Sequence, residues 1–387
     1  MAESSIDHQN RPLPGVNNCG WVQAPLGNYL TLKRGYDLPT SRRVAGHVPI
    51  YSSSGTSGFH NAKMADGPGV VTGRYGTIGE VFFSAGDYWP LNTTLYVKDF
   101  KGNDPKFVFY FLKQLDWQKY SDKSAVPGVN RNEVHKELVF LPEPHEQAQI
   151  AETLWGLDNK IDLLRRQNQT LEAMAETLFR QLCVGAESAE WPVLALEDIT
   201  SRITDGSHMS PKTSELGRPM ASVKDMHQWG IDLSSCRRIN PADYEELVRA
   251  DCRPLQGDIL IAKDGSYLKH VFLVEADMDV VLLSSIAILR PNGKYHPLLL
   301  TTFLKLKSTR DDLESIVTGA VIPRIVLKDF RKFPVVVPPE HVQKKCAEHI
   351  EPLYTKCWEN NRQISTLESL RDSLLPKLMS GEVRVAC

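Results

Sequence analysis

Two short stretches of the sequence set a long cation on a glycine turn behind a run of apolar residues. Residues 69–77 read GVVTGRYGT and residues 258–266 read DILIAKDGS, so Arg74 lines up with Lys263 and Gly76 with Gly265. Glycine allows close backbone approach, and an Arg or Lys beside it can reach a phosphate oxygen or a base edge. Tyr75, Thr77 and Ser266 belong to the same two candidate surfaces. A second doubled stretch, SAVPGVNR at 124–131 and GAVIPRIV at 319–326, adds Asn130, Arg131 and Arg324. The residues leave two readings open at each place: polar contacts to nucleic acid, or glycine and proline serving only a turn or a connection.

Other chemistry finds no footing. No stretch matches a P-loop, a GxSxG elbow or an HExxH helix. An Asn-Pro-Pro-aromatic methyltransferase motif and an acidic-Lys nuclease motif are missing too. No catalytic residue and no metal ligand is therefore assigned. The seven cysteines are scattered without a CxxC pair, which predicts reduced thiols. With 45 basic and 47 acidic residues the net charge is -2, so any nucleic-acid surface has to be local. Composition, 42% hydrophobic and 24% charged, excludes disordered, collagenous and membrane classes. No apolar run approaches the roughly 18 to 20 residues that span a bilayer, and residues 1–15 lack a secretory pattern. A cytoplasmic protein without membrane contact is expected.

The elements that position these turns follow from an internal repeat. Residues 166–185 align without gaps on 362–381, a shift of 196, with eight identities that include Arg166/Arg362, Leu171/Leu367, Leu178/Leu374 and Gly185/Gly381. The same shift pairs Pro-Glu-Pro-His-Glu-Gln at 142–147 with Pro-Pro-Glu-His-Val-Gln at 338–343. Each copy opens at prolines and closes at a glycine suited to a helix C-terminus. Between them runs a heptad seam: Leu154, Leu157, Ile161, Leu164, Asn168, Leu171, Ala175, Leu178 and Leu182 in one copy. The other copy reads Ile350, Leu353, Cys357, Asn360, Ile364, Leu367, Arg371, Leu374 and Leu378. Asn168 falls at an a position and Asn360 at a d position. In an antiparallel pair a layers face d layers, so one layer is expected to hold both amides and fix the register. Two helices packed separately on their own globular units are the alternative.

A strand-rich segment precedes each helix, and Trp21 and Leu26 in the first match Trp191 and Leu196 in the second. VVTG, EVFFS and TTLYV are expected strands of the first; DILIA, HVFLV, VVLLSSIAIL and FPVVV of the second. KFVFYFLKQL and HPLLLTTFLKL read as one helix late in each. The fold class is thus α+β, with two strand-rich domains separated by two long helices that form an antiparallel coiled coil.

The doubled entries at 142–147 and 338–343, the Arg-Gln-x-x-Thr-Leu-Glu helices, the Gly-Arg-Tyr-Gly turn at 73–76, the loops before the helices and LMSGEVRV at 378–385 together resemble the specificity subunits of type I restriction-modification systems. The likeness runs from about 17 to 387. It implies an N-terminal extension (1–16), target-recognition domain 1 (17–142), spacer helix 1 (143–185), target-recognition domain 2 (186–338), and spacer helix 2 with a C-terminal tail (339–387). It also implies a non-catalytic reader of bipartite double-stranded DNA. Two DNA-methyltransferase subunits would dock on it and restriction (motor/nuclease) subunits would join. S-adenosylmethionine and ATP/Mg would serve those partners, and no cofactor this chain. The sequence departs from the pattern at Pro144, at Val342 opposite Glu146, and at Asp264 and Lys269 in the second turn. From the residues alone, a coiled-coil scaffold with two peptide-binding domains stays open as the second reading, and a fused restriction enzyme as a third.

Overall fold

The structure, a computed structural model, describes residues 20–121, 127–263, 270–315 and 325–385. The chain divides into two compact units, Met1–Asp162 with Ser365–Cys387, and Leu163–Ile364. No described helix is long and apolar enough to cross a membrane.

The first unit begins with β1 (Val22–Pro25), α1 (Leu26–Tyr29), β2 (Thr31–Arg34), β3 (Val48–Ser52) and β4 (Gly55–His60). It continues with β5 (Gly69–Gly73), β6 (Val81–Ser84), β7 (Trp89–Pro90), β8 (Thr94–Asp99), α2 (Pro105–Lys113), α3 (Arg131–Lys136), β9 (Leu138–Leu141) and the start of α4 (Pro144–Cys183). Its main sheet has the order β2-β8-β5-β6, a second sheet the order β4-β3-β7, and β1 pairs with β9. Alternation along the strands decides which face meets which layer. Val70, Val81, Leu95 and Val97 pack with Phe107, Val108 and Phe111 of α2. Val71 and Tyr96 face the other way, into a cluster with Tyr51 and Tyr88. Burial on both faces is why β5 reads as a continuous apolar run.

In the second unit the strands are β10 (Val193–Ala195), β11 (Thr200–Asp205), β12 (Thr213–Ala221), β13 (Met226–His227), β14 (Gly230–Ile231) and β15 (Arg237–Ile239). After α5 (Pro241–Arg249) come β16 (Ile259–Ala262), β17 (Val271–Leu273), β18 (Val281–Leu282) and β19 (Ile286–Pro291). Then follow α6 (Pro297–Lys305), α7 (Lys307–Ser315), α8 (Leu327–Arg331), β20 (Pro334–Val336) and α9 (Glu340–Ser380). The orders β11-β19-β16-β17, β15-β12-β18 and β10-β20 repeat those of the first unit strand for strand. Even the parallel pairing of β3 with β7 has its counterpart in β12 with β18. The β13-β14 hairpin and α5 are additions of the second unit. VVLLSSIAIL, expected as one strand, is two: β18 joins the small sheet and β19 the main one. The break falls where Leu283 bridges Ser207 and the Ile286 N–H donates back to the Leu283 carbonyl.

One repeated glutamine ties each long helix to its head. Buried Gln147 accepts from the Asp104 N–H at 3.0 Å and donates to the Asn103 side chain and the Pro142 carbonyl at 2.7 and 2.8 Å. Buried Gln343 accepts from the His296 N–H at 2.8 Å and donates to the Lys294 and Pro338 carbonyls at 3.1 and 2.8 Å. Asp104 and His296 are the N-caps of α2 and α6, each followed by a proline that has no N–H to satisfy.

In the first unit α4 and α9 run antiparallel. The Arg384 guanidinium forks onto Glu146 with two bonds of 2.9 Å, and Arg371 pairs with Asp158 at 2.8 Å. Ile150, Ala151 and Leu154 of α4 and Leu375, Leu378 and Met379 of α9 enter the head's core. In the second unit the helices are again antiparallel, with Phe179 and Cys183 against the core that holds Cys346, Ile350 and Tyr354. Of the expected seam, Leu154, Ile161, Leu164, Asn168, Ile350, Asn360 and Ile364 are buried. Leu157, Leu171, Leu178, Leu353, Leu367 and Leu374 are half-buried. The apolar stripe is wider than two positions per heptad, because the helix ends pack on a head as well as on each other; Phe179, Tyr354 and Met379 lie in that added width. The glycine expectation holds at one end only. Gly381 takes φ +76 after α9, whereas Gly185 has φ -77 and precedes a short 3-10 turn at Ala186–Glu190.

Candidate nucleic-acid interface

The turn after β5 and the loop before α3 meet in the first unit. The Val129 N–H donates to the Arg74 carbonyl at 3.0 Å, Tyr75 bridges Gly128, and the Asn130 N–H donates to the Tyr120 carbonyl at 3.0 Å. Four of the candidate residues, Arg74, Tyr75, Gly76 and Thr77, thus share one surface with Asn130 and Arg131. Two glycines make the arrangement possible. Gly76 takes φ +74 in the turn, and a Cβ on Gly128 would overlap the Tyr75 ring. The Arg74 guanidinium lies over that ring, 4.4 Å from its centroid, which holds a long side chain in place and leaves its N–H edges free to donate.

Asn130 is not wholly available. Its side-chain oxygen accepts from the Asn132 N–H at 3.1 Å and caps α3, leaving Arg131 exposed at the helix start. His135, one turn on, anchors α3 to the sheet by accepting from the Leu32 N–H at 2.9 Å through Nε2. Burial, with Arg131 and Lys101 nearby, lowers its pKa, which keeps this acceptor nitrogen unprotonated.

The same backbone joint recurs in the second unit. The Ile325 N–H donates to the Lys263 carbonyl at 3.0 Å, as Val129 does to Arg74. The Lys263 N–H donates to Ser285 at 2.9 Å, as Arg74 does to Thr93 at 2.9 Å. The side chains part company. Lys263, expected to reach out from its turn, is 3% exposed and holds its ammonium against Asp205. Neutralising a buried cation requires a carboxylate beside it, and the strand end at Asp205 supplies one. Gly265, Ser266 and Arg324 lie outside the described residues, as do Asp264 and Lys269.

Sequence reasoning missed Asp205 as the counterpart of Arg34. Their signal was Arg-Gly-Tyr-Asp at 34–37 against Asp-Gly-Ser-His at 205–208, where a single identity is too little to anchor an alignment.

A profile of the "Type I restriction modification DNA specificity domain" family matches the chain twice, at residues 18–173 and 212–369. The chain belongs to this family. It is a DNA-recognition subunit of the type I restriction-modification class. Among relatives of this specificity family, the type I restriction enzyme MjaIX specificity subunit of Methanocaldococcus jannaschii is 24% identical, over 91% of this chain and 88% of its own. The EcoprrI specificity subunit of Escherichia coli is 26% identical over 34% of this chain and 35% of its own. In fold, the S subunit of a type I restriction-modification system from M. genitalium superposes with a TM-score of 0.61 at 17% identity, covering 95% of this chain and 98% of that one. The peptide-binding scaffold gains no support from these matches.

Proposed function

We propose that this specificity subunit reads a bipartite double-stranded DNA site, each unit contacting one half-site. In the first unit the contacts come from Arg74, Tyr75, Thr77 and Arg131, with Asn130 ordering the loop; in the second, where Lys263 is turned onto Asp205, they come from Gly265, Ser266 and Arg324. Segments 17–142 and 186–338 act as the reading heads, and the two long helices set the unread gap between half-sites. The chain carries no catalytic group or cofactor of its own on this reading. It works in the cytoplasm by docking two DNA-methyltransferase subunits, which use S-adenosylmethionine, and by recruiting restriction subunits that use ATP and Mg.

The observation that supports it is the doubled joint: one turn-and-loop contact, carbonyl of Arg74 or Lys263 to the N–H of Val129 or Ile325, made in two heads of one topology. A fold used twice in one chain suits a target read in two parts. Methylome sequencing of a host carrying the complex tests this directly. Methylation at a split sequence with a fixed gap is expected; a continuous site or no sequence preference overturns it.

A further inference from the structure

The ends of β2 and β11 are superposable in their bonding. Arg34 ends one strand and Asp205 the other, and each is followed by a glycine. The Gly35 N–H donates to Thr94 at 3.1 Å and the Gly206 N–H to Ile286 at 3.1 Å. Next, Tyr36 bridges Leu91 in parallel as Ser207 bridges Leu283. A Cβ at either glycine would overlap a carbonyl oxygen of the neighbouring segment, Leu91 or Leu282. Arg34 and Asp205 therefore hold one position of the common fold, and Arg74 and Lys263 hold another. The two positions flank the same end of the central strand, β8 or β19: Arg34 pairs with Leu95 and Gly73 with Thr94, while Asp205 pairs with Ala287 and Ala262 with Ile286.

Charge at this pair of positions is reversed on one side only. In the first unit both are arginines, which repel and cannot neutralise each other. Among the described residues no carboxylate pairs with Arg74, and Arg34 is exposed with its Nε donating to the Asn92 carbonyl at 3.4 Å. In the second unit the strand end carries the carboxylate, and Lys263 has folded onto it. Asp205 itself is 14% exposed, and its other oxygen lies 3.3 Å from Nε2 of the exposed His208.

We infer that the two heads meet DNA with unequal charge: Arg34 and Arg74 contact the phosphate backbone, whereas Asp205 withholds Lys263 from it. The inference rests on the DNA reading above. Asp205 is a positioning residue. Extracting Lys263 would strand a poorly solvated carboxylate, and a phosphate contact made in water offsets little of that cost. Half the contact set that the repeat leads one to count is electrostatically silent at this place.

Salt dependence reads the difference, because each phosphate neutralised adds about 0.9 to the slope of log K against log salt. The subunit, assembled with its methyltransferase subunits, is titrated onto a duplex carrying its methylated sequence at several salt concentrations. Arg74→Met and Arg34→Met are each expected to lower the slope by about 0.9. Lys263→Met should leave slope and affinity unchanged. If that variant disrupts assembly by leaving Asp205 bare, Asp205→Asn combined with Lys263→Met removes both charges and reads the same quantity. A slope lowered by either of these second-unit variants as much as by Arg74→Met, or an Arg74→Met complex with the unmodified slope, overturns the inference. An unmodified complex without salt-dependent, sequence-specific binding overturns the DNA reading, and this inference falls with it.

Discussion

The Asn360 side-chain N–H donates to the Asn168 side-chain oxygen at 2.8 Å, so the amides of two distant heptads share one buried layer between antiparallel helices. Asn360 also donates to Gln167 at 3.0 Å, and Asn361 accepts from Asn168 at 3.3 Å. The layer is not fully satisfied, since among the described residues the Asn360 oxygen has no donor. Such a layer fixes register more than it adds stability.

Replacing one amide therefore strands the other. Asn168→Leu is expected to destabilise the chain by about 1–3 kcal/mol in chemical denaturation. Asn168→Leu with Asn360→Leu should regain most of that loss, giving a large coupling in a double-mutant cycle. Additive single effects would show the two amides to be energetically independent.

Gln147 and Gln343, both buried, each make three hydrogen bonds at the root of a long helix. Gln147→Ala or Gln343→Ala should cost about 2–4 kcal/mol, the bonds lost plus buried groups left unpaired. Hydrogen exchange localises the effect: the Asp104 amide speeds up in the first variant and the His296 amide in the second. Exchange that rises equally in both units would contradict so local a role.

Acid should loosen the first unit through His135. Burial lowers its pKa from the usual 6.5, so the stabilising acceptor role is fully present above pH 6.5 and is lost as pH falls through the lowered folded value. His296, also lowered by burial, adds to the same trend in the second unit. Unfolding midpoints measured between about pH 7.5 and 5 should fall with pH, and His135→Gln, which keeps an acceptor without titrating in this range, should flatten part of the slope.

Contact between Tyr75 and Gly128 makes a separate prediction. Gly128→Val forces a branched side chain into the Tyr75 ring and pushes Arg74 off its stacking position. Affinity for the cognate duplex should drop by about tenfold or more, the equivalent of one lost contact of about 1–3 kcal/mol. Thermal stability measured alongside shows whether the loss is local.

Inserting one heptad into each long helix should lengthen the unread gap while both half-sites stay the same, as methylome sequencing would report. Seven residues add about 10 Å, roughly three base pairs of rise. Altered half-sites, or an unchanged gap, would count against helix length as the measure of the spacing.

Much of this fold was legible because it is written twice. The long helices and the pairing of Arg74 with Lys263 follow from shifted copies, whose repetition lifts weak signals above chance, and the polar layer follows from the heptad positions of Asn168 and Asn360. What escaped lay in unrepeated or very short segments. The three-stranded sheets are built from strands such as Trp89–Pro90 and Val281–Leu282, too brief to show a period, and their pairing is set by tertiary contact. The fate of Lys263 depended on Asp205, which is 58 positions away in sequence and beside it in space. Sequence spacing could mark the cation but not its counterion.

Leu375, Leu378 and Met379 complete the core that Trp21 and Leu26 begin. The second unit is one uninterrupted stretch, Leu163–Ile364, while the first is assembled from chain on both sides of it. On the ribosome the usual order is thus inverted. The later-made domain has everything it requires as soon as it emerges, and the earlier-made one waits, with Ile150 and Leu154 uncovered, until Leu375, Leu378 and Met379 have been made. That interval is when the nascent polypeptide is most exposed to misassembly.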